Sequence, residues 1–394
     1  MKVLISFLFF LIVLYSGCLS NDNSMRSDTI ISNSNNKYSL EITDTVIIHL
    51  DNKTKYNGIF NYDRIDDIDY LGTLNRDENS YSLYNINTGN IEEKIQFSSV
   101  GPNGIGQARF VKIYNWDSIF VLRYHTNIIY LLDSSPIVDT KWTISETSSE
   151  KFIHNISANF GFKLHYEDDV LSFLNIPNAK VYSKEFWISR SGISFNIKDK
   201  KVLNNTGIYP DVYKKGVCFG GYNNNPYRII TNGRLEVFSF SLDNRLFVYN
   251  DTSLIKTVSI RSKHVKNDAP KPSKTLTGYN YEDAWMYEIQ RGSYRYLWYD
   301  KSHNLIYRLV VHAMQPYDTD GNKNNFWDKS FSIQIIDSTF NLIGEVDFPE
   351  KTYSIYNIFP MNDGLLISLC HDNNPILEED KLKLALFKLV KTNE

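Results

Sequence analysis

The chain has few cysteines, no excess of positive charge and only one long apolar run. Each of these shortages excludes a class of protein. Only three of its 394 residues are cysteine, so a scaffold built from disulfides is excluded. Lysine and arginine total 42 against 45 acidic residues, and this net charge of −3 gives no attraction for nucleic acid. After Leu14 no apolar stretch approaches the length of a membrane helix, so the remaining chain is predicted to be water-soluble.

Motifs of metal and catalytic sites are also missing. The eight histidines have no metal-ligand spacing, and neither HExxH nor CxxC occurs, so the sequence predicts no zinc site and no cofactor. No serine lies in a Gly-x-Ser-x-Gly elbow, and no catalytic residue is predicted. Residues 318–322 alternate oxygen donors as a calcium loop does, but Lys329 stands where an EF-hand needs a carboxylate. A looser calcium site and a plain polar hairpin between Pro316 and Trp327 both stay open.

The N-terminus resembles the signal peptide of a bacterial lipoprotein. Lys2 supplies the positive start, Val3–Leu14 is the apolar run, and two small residues precede Cys18. The pattern departs from the usual lipobox at Tyr15, where leucine is common. The resemblance implies that residues 1–17 are a signal peptide and that acyl chains on Cys18 anchor the protein to the membrane. An uncleaved anchor and an ordinary signal peptide are the alternatives.

The segment after the cleavage site is rich in asparagine, serine and aspartate. Residues 18–37 are therefore predicted to be a flexible polar tether. The lipid would place the protein in the bacterial cell envelope as an outer-membrane lipoprotein, either periplasmic or exposed at the surface. With Cys18 lipidated, Cys218 and Cys370 can form at most one disulfide, and two unrelated buried thiols are the favoured alternative.

From residue 38 to residue 394 the pattern predicts one all-β domain. Short runs rich in Val, Ile, Tyr and Phe alternate with Asn, Asp and Gly turns, as is typical of antiparallel strands. The clearest unit, Asp69–Gln96, contains three strands joined by two tight turns. Further along, Asp300 and Asp337 follow strands and are expected to accept hydrogen bonds from turn N–H groups. Helix signals are almost absent, and Asn267–Asn280, which contains two prolines, is predicted to be a loop.

About six such units in series favour a β-propeller, with seven blades as the alternative. A meander of some 350 residues is long for a sandwich, whereas a propeller uses roughly 40–50 residues per blade. The first strand, Ser39–Leu50, and the last, Lys383–Val390, are predicted to pair in one blade. That pairing closes the ring and leaves no open sheet edge.

Three motifs resemble a known family. They are the loop GPNGIG at Gly101–Gly106, the stretch YDKSHNLIYRLVVH from Tyr299 and the stretch FSIQIIDSTFNLIGEVDF from Phe331. Together with the lipobox they are similar to DUF4221, an uncharacterised family of Bacteroidetes lipoproteins, over most of the chain from about Tyr38. The resemblance implies a β-propeller-like lipoprotein of the periplasm or cell surface and leaves its chemistry open.

Eight residues are candidates for ligand contact. The glycines of the loop Gly101–Gly106 allow backbone N–H groups to converge on an anion. The loop lacks the Gly-Lys-Ser/Thr ending of a nucleotide-binding P-loop, however, and its glycines also suit a turn that connects two blades. The remaining candidates stand at predicted strand ends, where a propeller opens its channel. The eight residues are Gly101, Asn103, Gly104, Gly106, Arg123, Tyr124, His125 and His312.

The favoured function is a lipid-anchored binding or scaffold module. Aromatic side chains from several blades, with Trp116, Tyr124, Trp285 and Trp298 as hypotheses, would contact a glycan, a peptide or an envelope protein. The alternative is a propeller hydrolase or lyase that acts on an envelope or extracellular glycan. A glycan hydrolase needs two carboxylates that face each other, and a single sequence does not show such a pair. Nucleic acid is excluded as a partner by charge.

Overall fold

A computed structural model describes residues 29–31, 37–123, 126–144, 155–157, 164–176, 184–213, 221–266 and 281–392. Most of these residues lie in short strands, which confirms the all-β prediction. The strands are β1 (Thr29–Ile31), β2 (Tyr38–His49), β3 (Phe60–Ile65), β4 (Ile68–Asn75), β5 (Ser80–Asn85), β6 (Ile91–Gln96), β7 (Ala108–Asn115), β8 (Ser118–Arg123), β9 (Ile128–Leu132), β10 (Val138–Thr143), β11 (Asn155–Ser157), β12 (His165–Glu167), β13 (Val170–Ile176), β14 (Arg190–Asn196), β15 (Lys201–Ile208), β16 (Pro226–Ile230), β17 (Glu236–Phe240), β18 (Asp243–Asn250), β19 (Ser253–Ile260), β20 (Ser293–Asp300), β21 (Leu305–Val311), β22 (Phe331–Ile336), β23 (Leu342–Phe348), β24 (Ile358–Met361), β25 (Gly364–Ser368) and β26 (Lys381–Lys391). The helical segments are α1 (Lys184–Ile188), α2 (Tyr281–Gln290) and the 3₁₀ turns Gly221–Asn224 and Phe326–Asp328.

In the described part of the chain the strands form six small sheets, which are the blades of a β-propeller. Blade I is β3 to β6, blade II is β7 to β10, blade III is β11 to β15, blade IV is β16 to β19, and blade V is β20 to β23. Blade VI is made of β24, β25, β26 and β2. The predicted propeller of about six blades is therefore confirmed, and the alternative of seven is wrong.

The ring is closed by the predicted pairing of the two ends of the domain. Strand β2 runs antiparallel to β26, with Tyr38 opposite Lys391 and His49 opposite Lys381. Residues from both ends of the domain thus share one sheet, and β2 completes the blade that β24, β25 and β26 begin. The pairing also covers the outer edge of β26, which would otherwise expose unpaired N–H and C=O groups.

The hydrophobic core is divided among the faces between neighbouring blades. One cluster lies between blades VI and I, one between I and II, one between II and III and one between III and IV. The largest cluster joins blades IV, V and VI. Aromatic rings fill much of this space, as Trp187 stacked on Tyr213 at 5.2 Å illustrates. Burial between blades therefore explains the abundance of tyrosine and phenylalanine.

Three features differ from the sequence analysis. Strand β1 lies within the predicted tether, yet it pairs in parallel with β19 and adds a fifth strand to blade IV. The strands of blade III lie within the predicted all-β domain, but none of them was assigned individually from the sequence. Helix α2 was also not predicted, because it buries only Ala284 and Ile289 and so has little apolar periodicity. The proposed loop Asn267–Asn280 lies outside the described residues.

The predicted turn aspartates behave as expected. Asp300 accepts a hydrogen bond from the backbone N–H of His303 at 3.0 Å, and Asp337 accepts one from Thr339 at 2.9 Å. Asp318 likewise accepts the N–H of Asn322 at 2.8 Å, so the suspected calcium loop forms a polar hairpin. No helix within the described residues has the length and apolar character required to cross a bilayer.

Candidate functional site

The first strands of the blades surround a central channel, and a cavity of about 510 Å³ opens at one end of it. Contacts of β3 with β7 and of β20 with both β16 and β24 place these strands innermost. The cavity lies where β3, β7 and β24 begin. Four basic residues line it, and we therefore call it the cationic cavity: Lys53, Lys55, Arg76 and Arg109.

The loop that carries the two lysines is fastened to both neighbouring blades. Asn357, which is buried before β24, donates its side-chain N–H to the Gly58 carbonyl at 2.9 Å and accepts the Phe60 N–H at 3.1 Å. Tyr84 of blade I donates its hydroxyl to Thr54 Oγ1 at 2.9 Å. This wall of the cavity therefore has a fixed position across the junction of blades VI and I.

The charged side chains that are described as lining the cationic cavity are all basic. None of the described residues that line it is acidic. Glu78, which lies nearby, forms ion pairs with Lys53 at 3.0 Å and with Lys94 at 2.6 Å. Its hydrogen bond raises the pKa of Lys53, while the hydrogen bonds from Lys94 and Lys53 lower the pKa of Glu78. The exposed Lys55 forms no ion pair with any described residue and is available to an anion.

Aromatic side chains also line the cationic cavity. The half-buried rings of Trp298 and Tyr356 both line the cavity. Between them lies the buried Tyr296, whose ring centroid is 5.8 Å from that of Trp298 and 6.3 Å from that of Tyr356. Trp298, one of the aromatic hypotheses, is therefore held by packing and presents a flat apolar surface within the same cavity as the cations.

A second cavity of about 410 Å³ lies where several of the inner strands end, and Trp298 also contributes to its wall. Most of the basic side chains that line this second cavity form ion pairs with acidic residues of the protein. Lys112 pairs with the buried Asp63 at 2.6 Å, and Arg228 pairs with Glu236 at 2.7 Å. Burial lowers the pKa of His165 to about 4, which keeps its imidazole neutral at pH 7. The second cavity is thus less suited to attract an anion.

The loop Gly101–Gly106 connects β6 to β7, between blades I and II. Asn79 of blade I donates to the Gly106 carbonyl at 2.8 Å and accepts the Ala108 N–H at 2.8 Å. Gly106 has a φ of +71°, and a Cβ there would meet Arg123 Nε at 2.7 Å. These contacts give the loop a role in joining two blades, and none of its residues lines either cavity.

The other predicted ligand residues are dispersed. Arg123 ends β8 in blade II beside Gly106, whereas His312 follows β21 in blade V. Tyr124 and His125 lie outside the described residues, as do Cys18 and Cys218. Cys370 is a buried free thiol. The structure therefore brings Arg123 to the predicted loop but places His312 in a different blade.

Sequence reasoning missed the four cations of the cationic cavity. Lys53, Lys55 and Arg76 occupy polar turns, and Arg109 stands near the start of β7, where each looks like an ordinary surface residue. No local motif distinguishes them. Only the order of the blades around the ring could have indicated that these positions meet at one channel opening.

Comparison with known proteins identifies relatives that cover most of the six-bladed propeller, which we call the disc. A family model described as "Domain of unknown function (DUF4221)" matches residues 37–347. The crystal structure of a DUF4221 family member from Bacteroides vulgatus is similar with a TM-score of 0.76 and 19% identity, over 91% of this chain and 99% of that one. A putative exported protein from Bacteroides fragilis is similar with a TM-score of 0.53 and 10% identity, over 93% and 100% of the two chains. No curated protein matches, and at these identities the likenesses establish the fold alone.

Proposed function

This chain belongs to the DUF4221 family, whose domain has no known function, and from the chemistry of the cationic cavity we propose that it is a binding module for an acidic glycan. The observation that carries the proposal is one cavity lined by both basic residues and aromatic rings, with no acidic residue among its described lining. Guanidinium and ammonium groups bind carboxylates and sulfates, while an indole packs against the apolar face of a sugar ring.

The size of the cavity supports a ligand of one or two sugar units. Its volume of about 510 Å³ lies within the range of small-molecule sites, roughly 300–1,000 Å³. The cavity is also open to solvent at the channel mouth, so a longer polymer can present its end or one residue. Rigid walls favour binding because their side chains lose little conformational entropy when a ligand binds. The contacts of Asn357 and Tyr296 hold the walls of this cavity in place.

We propose that the disc is held at the bacterial envelope by a lipid on Cys18. The signal-like N-terminus supports export, and one structural relative is described as a putative exported protein. The strand β1 supports a position of the anchor near blade IV, because it hydrogen-bonds to the outer edge of that blade only about ten residues after Cys18. A glycan of the envelope or of the surroundings would then reach the channel mouth.

Substitution of the exposed cations is expected to weaken binding of an acidic saccharide. Lys55→Gln and Arg76→Gln each remove a charge-assisted contact worth about 1.5–3 kcal/mol, so the dissociation constant should rise roughly tenfold or more. Calorimetric titration with uronate and sulfated oligosaccharides measures this change, after a thermal-shift screen has selected the ligand.

Matched controls separate the cavity from general surface charge. Lys141→Gln and Arg261→Gln remove exposed cations of blade II and of the connection after blade IV, and they should leave the dissociation constant unchanged. Neutral saccharides should bind at least tenfold more weakly than acidic ones. Equal losses in the control variants, or a preference for neutral sugars or for peptides, would show that the acidic-glycan assignment is wrong.

Loss of the lipid is expected to release the protein from membranes. In Cys18→Ala no acyl chain can be attached, and each buried methylene contributes about 0.8 kcal/mol to membrane affinity. Fractionation of cells that express the variant should recover the disc among soluble envelope proteins, whereas the original chain sediments with membranes. Continued sedimentation of Cys18→Ala would contradict lipid anchoring.

A further inference from the structure

Two histidines and one aspartate meet at the outer part of blade V, although they are far apart in the sequence. His264 lies in the connection that follows β19, His312 follows β21, and Asp347 belongs to β23. One potential ligand atom from each side chain lies within 4.8 Å of the others. The group is separate from both channel cavities, and no local spacing in the sequence indicated it.

His312 has a buried ring nitrogen that has no partner among the described residues. The residue is only 9% exposed, and its Nε2 atom makes no hydrogen bond to the described part of the chain. Its other nitrogen, Nδ1, lies 3.2 Å from Ser330 Oγ. A proton on Nδ1 donated to Ser330 leaves the lone pair on Nε2, which is the arrangement found in most metal-binding histidines. A buried polar atom without a partner needs an explanation, and an ion is one.

The remaining members of the group are arranged around this atom. The rings of His264 and His312 stack with centroids 3.5 Å apart and planes at 17°. His264 Nε2 lies 2.7 Å from Asp347 Oδ1. Ligand atoms about 2.1 Å from a tetrahedral ion lie about 3.4 Å from one another. The three candidate atoms already lie within 4.8 Å of one another, and binding requires the two stacked rings to turn so that both lone pairs point at the ion.

We propose that His264, His312 and Asp347 bind one divalent transition-metal ion, with Zn²⁺ as the best-suited metal. Two imidazoles and one carboxylate match the ligand preferences of zinc, whereas calcium and magnesium prefer oxygen ligands alone. The ion would link the connection after blade IV to two strands of blade V. It would thereby fix the boundary between these blades.

Lys263 competes with the metal for the carboxylate. Its ammonium lies 2.8 Å from Asp347 Oδ2, and its side chain is 56% exposed and free to turn outward. A bound ion would have to displace this ion pair and would be repelled by the remaining positive charge. Removal of the Lys263 charge should therefore increase metal affinity, an effect that no purely structural role of the histidines predicts.

The test is calorimetric titration of the full disc with ZnCl₂, using tag-free protein stripped with EDTA. We expect one ion per chain and a rise in melting temperature. His264→Gln and His312→Gln should weaken binding by at least the roughly 10–100-fold that is typical for loss of an outer-shell partner. Lys263→Gln should tighten binding severalfold.

His303→Gln is the matched control. His303 also pairs with an aspartate in blade V, at 2.7 Å from Asp300, but within the described residues these two side chains belong to no group of three potential metal ligands. Its variant should bind Zn²⁺ as the original chain does. If His312→Gln fails to fold, His264→Gln decides, because the His264 side chain is 24% exposed and tolerates substitution. Absence of Zn²⁺ binding in the original chain, or equal binding by His264→Gln, would overturn the proposal.

Discussion

Arg308→Met is expected to lower the free energy of unfolding by about 3 kcal/mol, because several buried acceptors lose their donor. Arg308 of blade V is 0% exposed and reaches into blade IV. Its guanidinium donates to the carbonyls of Asp243 at 2.8 Å and Asn244 at 2.9 Å, and to Ser239 Oγ at 2.9 Å. It also lies 3.8 Å from the ring centroid of Tyr294, a cation–π contact.

Arg308→Met also removes the free-energy cost of burying a charged guanidinium. The expected decrease in the free energy of unfolding already includes this gain. Burial lowers the pKa of Arg308 to about 10, so the group is still charged at pH 7 and binds as a cation. Methionine fills similar space but donates no hydrogen bond. Urea denaturation measures the change from the transition midpoint, provided that the slope is unchanged.

The matched control is Arg261→Met, which removes an exposed arginine next to the end of β19. We expect a change within about 0.5 kcal/mol for that variant. Arg308→Lys should be intermediate in effect, since an ammonium cannot reach several acceptors in the geometry of a guanidinium fork. Similar stabilities of Arg308→Met and the original chain would contradict the role of Arg308 in joining blades IV and V.

Ile48→Asp is expected to lower the free energy of unfolding by about 4 kcal/mol or more. Ile48 lies on the closing strand β2, is 0% exposed and belongs to the cluster between blades VI and I. The substitution removes a buried aliphatic side chain and places an unpaired carboxylate in an apolar site. Because β2 completes blade VI, the loss should open the ring.

The neighbouring residue supplies the control. Ile47 lies on the same strand but points to the other face and is 41% exposed. Ile47→Asp should cost less than about 1 kcal/mol, and Ile48→Val should cost about 0.5–1.5 kcal/mol. Thermal melting together with limited proteolysis of β2 would detect opening. Equal effects of the two aspartate variants would show that β2 does not seal the ring.

Much of the fold could be predicted because propeller blades are built from local hairpins. The unit Asp69–Gln96 corresponds to β4, β5 and β6, and the turn aspartates Asp300 and Asp337 make their expected hydrogen bonds. Ring closure was predictable as well, since β2 and β26 are the first and last strands of the predicted domain and their pairing completes one blade.

Other parts of the fold depend on contacts that a local pattern does not contain. Blade III has serine and asparagine within its strands, such as Ser172 and Ser194, whose hydroxyls lie 3.0 Å apart in the buried sheet. These polar residues interrupt the apolar alternation that predicts strands. Helix α2 likewise depends on tertiary packing, with Trp285 donating its indole N–H to the Asn324 carbonyl at 3.0 Å.

The candidate sites could not be predicted because their residues meet only in the closed ring. Lys55 and Trp298 both line the cationic cavity, yet Lys55 lies in the connection between blades VI and I and Trp298 belongs to blade V. His264, His312 and Asp347 are similarly collected from a connection and two strands. The glycine loop Gly101–Gly106 was visible in the sequence because glycine is distinctive, but its contacts join blades I and II.

The central claim is that the cationic cavity holds an acidic saccharide, and a crystal structure of the complex tests it most directly. The ligand should be the saccharide that produces the largest thermal shift. We predict a sugar ring against Trp298, with its carboxylate or sulfate within hydrogen-bond distance of Lys55, Arg76 or Arg109. A saccharide bound elsewhere on the disc, with the cavity filled only by solvent, would contradict the account.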